Sequence, residues 1–233
     1  MSGRSQSAAR SRDQRPVIDA ADEMADIASR VSSRMTLPQL EAAVSHSLSF
    51  EEMQEALHGN AGVARYDEAF RPGIDLRDEL AQYPWRAMVF LFRSSPTYGH
   101  WLAVFEQNNG NTISIFDPYG RTRNGRHIVP DGWGPNSLAA GMSPSLLSRL
   151  GQGAPRLLEA VDRAGYRRVV YNEHQLQSRA AGVSTCGRHA LVRLALRGLS
   201  VADYAAALAR AARMSGLTTD QLVTCLTSGV PKG

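Results

Sequence analysis

The sequence predicts an α+β fold, with a central, mostly antiparallel sheet flanked by helices. Three observations carry that reading. The N-terminal quarter has helical apolar spacing, the middle has short apolar runs of strand length, and capped helices return at the C-terminal end. The 233 residues, 43% of them hydrophobic, can bury one sizeable core.

The elements follow in chain order. Residues 1–15 are rich in Ser and Arg without periodicity and predict a disordered basic tail. From Val17, apolar residues at 17, 21, 24, 28 and 31 form a helical stripe. Ser49 and Glu52 form a capping box for "FEEMQEALHG", which Gly59 closes. Residues 17–60 therefore read as two or three helices, and 61–83 as irregular. After Trp85, "AMVFLF" reads as a buried strand. "HWLAVFEQ" and "TISIFD" read as two more, joined through Asn109-Gly110, a strong hairpin signal. Residues 121–142 read as loop. A helix over 154–164 and a fourth strand, "YRRVVYN", precede a helix that starts at Cys186 and ends near Gly198. Two capped helices, 200–215 and 218–227, complete the chain.

Composition excludes several classes. The longest apolar run, six residues, is far short of the ~18–20 that a membrane span needs, so no membrane partner is expected. The N-terminus lacks the apolar stretch of a secretory signal, which predicts an intracellular, non-secreted protein. Two cysteines do not make a disulfide framework and fit a reducing compartment. No Cys/His spacing suggests a metal, and no cofactor motif is visible. Charge is uneven. Residues 1–15 carry +3, 16–100 carry −6 and 101–233 carry +7, with one lysine, Lys232. The basic tail and the cluster Arg121, Arg123 and Arg126 are candidate nucleic-acid contacts, weighed against an ordinary solvated surface.

The candidate chemistry centres on "STCGRHALVRLALRG", 184–198. Cys186 stands where a loop becomes a helix, against free backbone N–H groups and the positive end of the helix dipole, both of which favour a thiolate. "YGHW" puts His100 at the start of one strand and "FDPYG" puts Asp117 at the end of the next. In a hairpin those two ends are neighbours, so the carboxylate can hold one ring nitrogen while the other faces a thiol. "NEHQLQ" offers Gln175 and Gln177, one of which could donate to an oxyanion together with the Cys186 N–H. Gly187 would let the chain turn tightly and keep the space over the sulfur clear. His189, three residues beyond Cys186, is the competing base, although packing or solvation is its expected role. His127 and His174 read as surface or groove residues, and Cys225, inside "LVTCL", as core packing.

The ordered set "GHWLAVFEQNNGNTISIFDPYG", then Gln, then "STCG", resembles the adenovirus-type cysteine proteases. These belong to a group (clan CE) that includes the proteases of SUMO and other ubiquitin-like proteins. The resemblance covers about 85–200. It implies a papain-like catalytic logic with His100 as general base, Asp117 as its orienter, Cys186 as nucleophile and Gln177 as oxyanion donor. Trp101 and Gly187 become candidate groove residues. It further implies cleavage of viral capsid or core precursor proteins beside small residues of Gly-Gly or Gly-Ala type, in the host cytoplasm or nucleus and in the virion. The chain then divides into a tail (1–16), a helical N-terminal region (17–83), a catalytic core (84–200) and C-terminal helices packed on it (201–233). Alternatives are removal of ubiquitin-like modifiers, acetyl transfer by an effector with the same three residues, and a non-catalytic virion or scaffold protein.

Overall fold

The structure, a computed structural model, describes residues 15–93, 99–107, 110–120, 149 and 156–228. The elements run α1 (Arg15–Ser32), α2 (Leu37–Ser45), α3 (Phe50–Leu57), β1 (Gly62–Arg65), α4 (Tyr66–Ala69), α5 (Leu76–Ala81), β2 (Ala87–Arg93), β3 (Gly99–Gln107), β4 (Thr112–Phe116), α6 (Arg156–Arg163), β5 (Arg168–Tyr171), α7 (Cys186–Ala195), α8 (Val201–Ser215) and α9 (Thr219–Leu226). The five strands lie in chain order across one sheet.

The class expected from the sequence, α+β with helices flanking a sheet, is the one observed. The sheet itself is mixed. β2–β3 and β3–β4 pair antiparallel, whereas the outer strands β1 and β5 pair parallel to their neighbours. β1 falls inside 61–83, the stretch expected to be irregular, together with α4 and α5. A four-residue strand and a four-residue helix are too short to show a period, and the pairing of Gly62–Arg65 with Met88–Leu91 is a long-range choice. α1 begins at Arg15, so residues 15 and 16 belong to a helix and not to the tail. Pro16 fits there because a first-turn residue has no intrahelical N–H bond to lose. The rest of the basic tail, the loop bearing Arg121, Arg123 and Arg126, and His127 lie outside the described residues.

Alternation along the strands feeds two cores. Val89, Trp101, Ala103, Phe105 and Phe116 pack with α1, α3, α7, α8 and α9. Met88, Phe90, Phe92, Leu102, Val104, Ile113 and Ile115 pack with α4, α5 and α6. A sheet covered on both faces explains why β2 reads as an unbroken apolar run and not as an alternation. The Ser49–Glu52 capping box forms as expected, Ser49 N–H donating to Glu52 at 2.7 Å and Glu52 N–H to Ser49 Oγ at 3.2 Å. It fixes the start of α3, whose Met53 and Leu57 are fully buried. Among the described residues no helix is long and apolar enough to cross a membrane.

Candidate functional site

The β3–β4 hairpin sets the first pair. Its register, Ala103 opposite Phe116, brings the start of β3 beside the residue that follows β4. His100 Nε2 lies 2.8 Å from Asp117 Oδ1, and the imidazole is 2% exposed. Since an ionised carboxylate only accepts, Nε2 carries the proton and Nδ1 is the nitrogen left for another partner. The turn after β4 is tied to the same carboxylate, with Tyr119 N–H donating to Asp117 Oδ1 at 2.9 Å. The Tyr119 ring stacks on the imidazole at 4.7 Å.

Cys186 is the first residue of α7 and is buried. Burial pushes its thiol up, but the His100 imidazole, with the Trp101 and Gly187 backbone N–H groups, outweighs that and holds it below the ordinary thiol range. Burial likewise pulls the His100 imidazole down, yet Asp117 and the Cys186 sulfur raise it from 6.5 to about 10. Both shifts favour the charged forms, thiolate and imidazolium, beside Asp117. The α7 start is suited to this. Its N-cap residue, Thr185, makes no side-chain bond to its own helix, so no side chain competes with the sulfur for the first-turn amides.

The structure separates the two glutamines. Gln175 is exposed and its Nε2 donates to the Gln177 carbonyl at 3.3 Å. Gln177 is 1% exposed, and its Oε1 has no hydrogen-bond partner among the described residues. A buried acceptor without a donor costs stability, and Oε1 itself cannot donate to an oxyanion; that role would fall to Nε2 of the same amide. The Gln177 backbone is anchored beside Asp117: the Leu176 and Gln177 N–H groups both donate to the Pro118 carbonyl, at 2.9 and 3.0 Å.

Trp101 and Gly187 are buried and pack against each other. Trp101 Nε1 donates to the Leu48 carbonyl at 2.9 Å. A side chain at Gly187 would press on Trp101, Met53 and Leu48, with approaches of 3.1–3.3 Å. Gly187 has no positive φ and lies inside α7. What it permits is close approach of α7 to β3 and the α2–α3 connection, not a tight turn. The helical N-terminal region thus walls the site, an arrangement strengthened by the Ser184 N–H bond to the Val44 carbonyl at 3.0 Å.

His189 neither faces solvent nor merely packs. It is fully buried and its Nε2 meets Asp220 Oδ1 at 3.1 Å. Cys225 is fully buried in the core, and burial raises its thiol. His174 is exposed, and its N–H donates to Asn172 Oδ1.

Three further residues contribute, and one of them, Gly120, carries a sequence clue. Asn172 Nδ2 donates to the carbonyls of Asp117 and His174, at 2.7 and 2.8 Å, and so joins the Asp117 turn to the glutamine loop. Gly120, at φ +61°, lies so close to that loop that a Cβ would collide with the His174 carbonyl. The glycine of "DPYG" was the available clue, since a glycine closing a turn often marks close backbone approach. The third is Asp220, in the first turn of α9.

Cavities of about 640 and 770 Å³ lie elsewhere, and neither is lined by His100, Asp117, Gln177 or Cys186. Among the described residues no group of three or more His, Cys, Asp or Glu could hold a metal ion. No protein-family model matches the chain. The chain is similar to the uncharacterized protein V9 of Sputnik virophage, with 28% identity over 144 residues that cover 62% of this chain and 74% of V9. That similarity is to a protein of viral origin.

Proposed function

We propose that this chain is a cysteine peptidase that cuts precursor proteins of a virus, with Cys186 as nucleophile. The observation that supports it best is the imidazole of His100 held between the Asp117 carboxylate, at 2.8 Å, and the thiol at the start of α7. The ordered sequence motif that resembles adenovirus-type proteases supports the reaction class, and the similarity to a virophage protein supports the viral setting.

In this reading the Cys186 thiolate attacks the scissile carbonyl carbon, and the carbonyl π electrons move to oxygen. The Gln177 amide N–H and the backbone N–H of Cys186 donate to that oxyanion. The His100 imidazolium then gives its proton to the leaving nitrogen as the C–N bond breaks, which leaves a thioester. Neutral His100 takes a proton from water, water attacks the thioester, and the thiolate returns as the acid leaves. Asp117 keeps the ring tautomer fixed throughout.

The test is to incubate the protein with the capsid and core precursors of its own virus and map new termini by mass spectrometry. Expected are discrete cuts beside small residues that vanish with Cys186→Ala. Cuts that persist with Cys186→Ala, or no cut in any precursor, overturn the reading. Cleavage confined to ubiquitin-like conjugates would move the substrate class to modifier removal.

A further inference from the structure

The C-terminal helix α9 enters the sequence reading only as packing. Its first turn nevertheless reaches both halves of the candidate site. Asp220 is 4% exposed, and its carboxylate accepts three hydrogen bonds. The Thr185 hydroxyl donates to Oδ1, the Ser178 N–H to Oδ2 at 3.0 Å, and His189 Nε2 to Oδ1 at 3.1 Å. Thr185 immediately precedes Cys186, and Ser178 immediately follows Gln177. The neighbouring Thr219 hydroxyl donates to the Leu176 carbonyl at 2.7 Å. Gln177 is thus gripped on both sides, at Leu176 by Thr219 and at Ser178 by Asp220.

We propose that Asp220 is a positioning residue that sets the Cys186 thiol and the Gln177 amide in register with each other. The proposal rests on the peptidase reading for what the register is used for. The physical reason is the position of the charge. A buried carboxylate must be saturated with donors, and these three come from separate segments: the loop after Gln177, the residue before Cys186 and the first turn of α7. Moving any one of them leaves a buried charge short of a partner, so the segments are held as a unit. Thr185 does not cap α7: its backbone is not in the extended conformation of an N-cap and its hydroxyl is committed to Asp220, so the first-turn amides remain for the sulfur. Burial pushes the Asp220 carboxyl up, but His189, Thr185 and the Ser178 N–H together hold it below the usual carboxylate value. His189, whose imidazole burial holds below its ordinary value, serves as a neutral donor in this cluster.

The experiment compares Thr185→Val, which keeps the shape and removes the donor, with Thr185→Ser, which keeps the donor. Asp220→Asn is the third variant. Each is followed by the pH profile of Cys186 alkylation with iodoacetamide and by kcat and KM on a cleaved precursor peptide. In Thr185→Val the alkylation midpoint should move up by about one unit, which slows labelling below the midpoint about tenfold. Thr185→Ser should stay within about twofold of the parent. Asp220→Asn should lose about 10²-fold in kcat with little change in KM, because the loss falls on transition-state contacts. Thr185→Val with the parent's alkylation profile overturns the proposal, whether or not Asp220→Asn folds. A parent protein that is alkylated first at Cys186 but cleaves no precursor overturns the peptidase reading, and the alkylation comparison then decides the positioning role by itself.

Discussion

Two buried histidine–aspartate pairs lie near Cys186, and they are biased in opposite directions. His100 and Asp117 meet at 2.8 Å, His189 and Asp220 at 3.1 Å, and both imidazoles are at most 2% exposed. By residue type and distance the pairs are interchangeable. What differs is the third partner. His100 interacts with the Cys186 sulfur as well as with Asp117, and the two together raise the ring to about 10 despite burial. The second nitrogen of His189, Nδ1, has no hydrogen-bond partner among the described residues, and burial keeps that ring neutral. Its aspartate also accepts from Thr185 and Ser178, as Asp117 accepts from the Tyr119 N–H. In the proposed peptidase reading, the third group makes the first pair acid–base machinery, whereas the second pair is a buried brace.

Cys186→Ala and His100→Ala should each lower peptide cleavage by about 10⁴-fold or more, and Asp117→Asn by about 10²–10⁴. His189→Ala should leave turnover within about tenfold of the parent and instead cost about 1–3 kcal/mol of stability, read as a lower melting temperature. A dead His189→Ala beside an active His100→Ala would exchange the two roles.

A smaller loss tests the glutamines. Gln177→Ala should reduce kcat by about 10²–10³, the usual cost of one oxyanion donor. Gln175→Ala, which removes an exposed amide bonded to a backbone carbonyl, should stay near the parent. The reverse order would transfer the donor role to Gln175.

The pH profile sharpens the contrast further. The Cys186 thiol lies below its ordinary range and His100 is raised to about 10, so each shift favours the charged form of its group. Alkylation should therefore reach Cys186 before Cys225, whose thiol burial raises. Turnover should fall on the alkaline side near pH 10. The stability linkage has the same limits. The raised His100 contributes fully below 6.5, and that contribution is lost as pH rises through about 10. The depressed Cys186 contributes above the ordinary thiol value and loses that contribution as pH falls through its lowered one. Equal labelling of the two thiols in the folded protein would remove the special status of Cys186.

The smallest effect tests the joint between the loops. Gly120→Ala meets the His174 carbonyl at a positive φ and should cost about 1–3 kcal/mol, with activity falling only as the Asp117 turn shifts. A neutral melt and full activity would mean that the 117–120 turn and the 172–177 loop can separate without consequence.

The legible parts share a property: each is written in neighbouring residues. Capping boxes, the apolar run of β2 and the glycine of the β3–β4 hairpin are all local. The hairpin is the reason that His100 and Asp117 could be paired from sequence, since a short antiparallel connection fixes which ends meet. Cys186 could be placed at a helix start for the same reason. β1, α4 and α5 escaped because elements of four to six residues carry too little periodicity. Gly187 needs to be small, but the neighbours that require it come from β3, α3 and the α2–α3 connection, which local sequence does not show.

By itself, then, the sequence determined the α+β class, the starts of α3, α7, α8 and α9, the hairpin and the residue types that could make a thiolate–imidazolium pair. Only the tertiary structure decided which histidine faces the sulfur, which glutamine is buried, and that Asp220, 35 residues beyond Thr185, reaches the residue before the thiol. The physical reason is range. Backbone hydrogen bonds, caps and turns are settled within a few residues, whereas the bias on a buried ionisable group depends on every charge and donor packed around it. Those neighbours come from segments that only the folded core brings together.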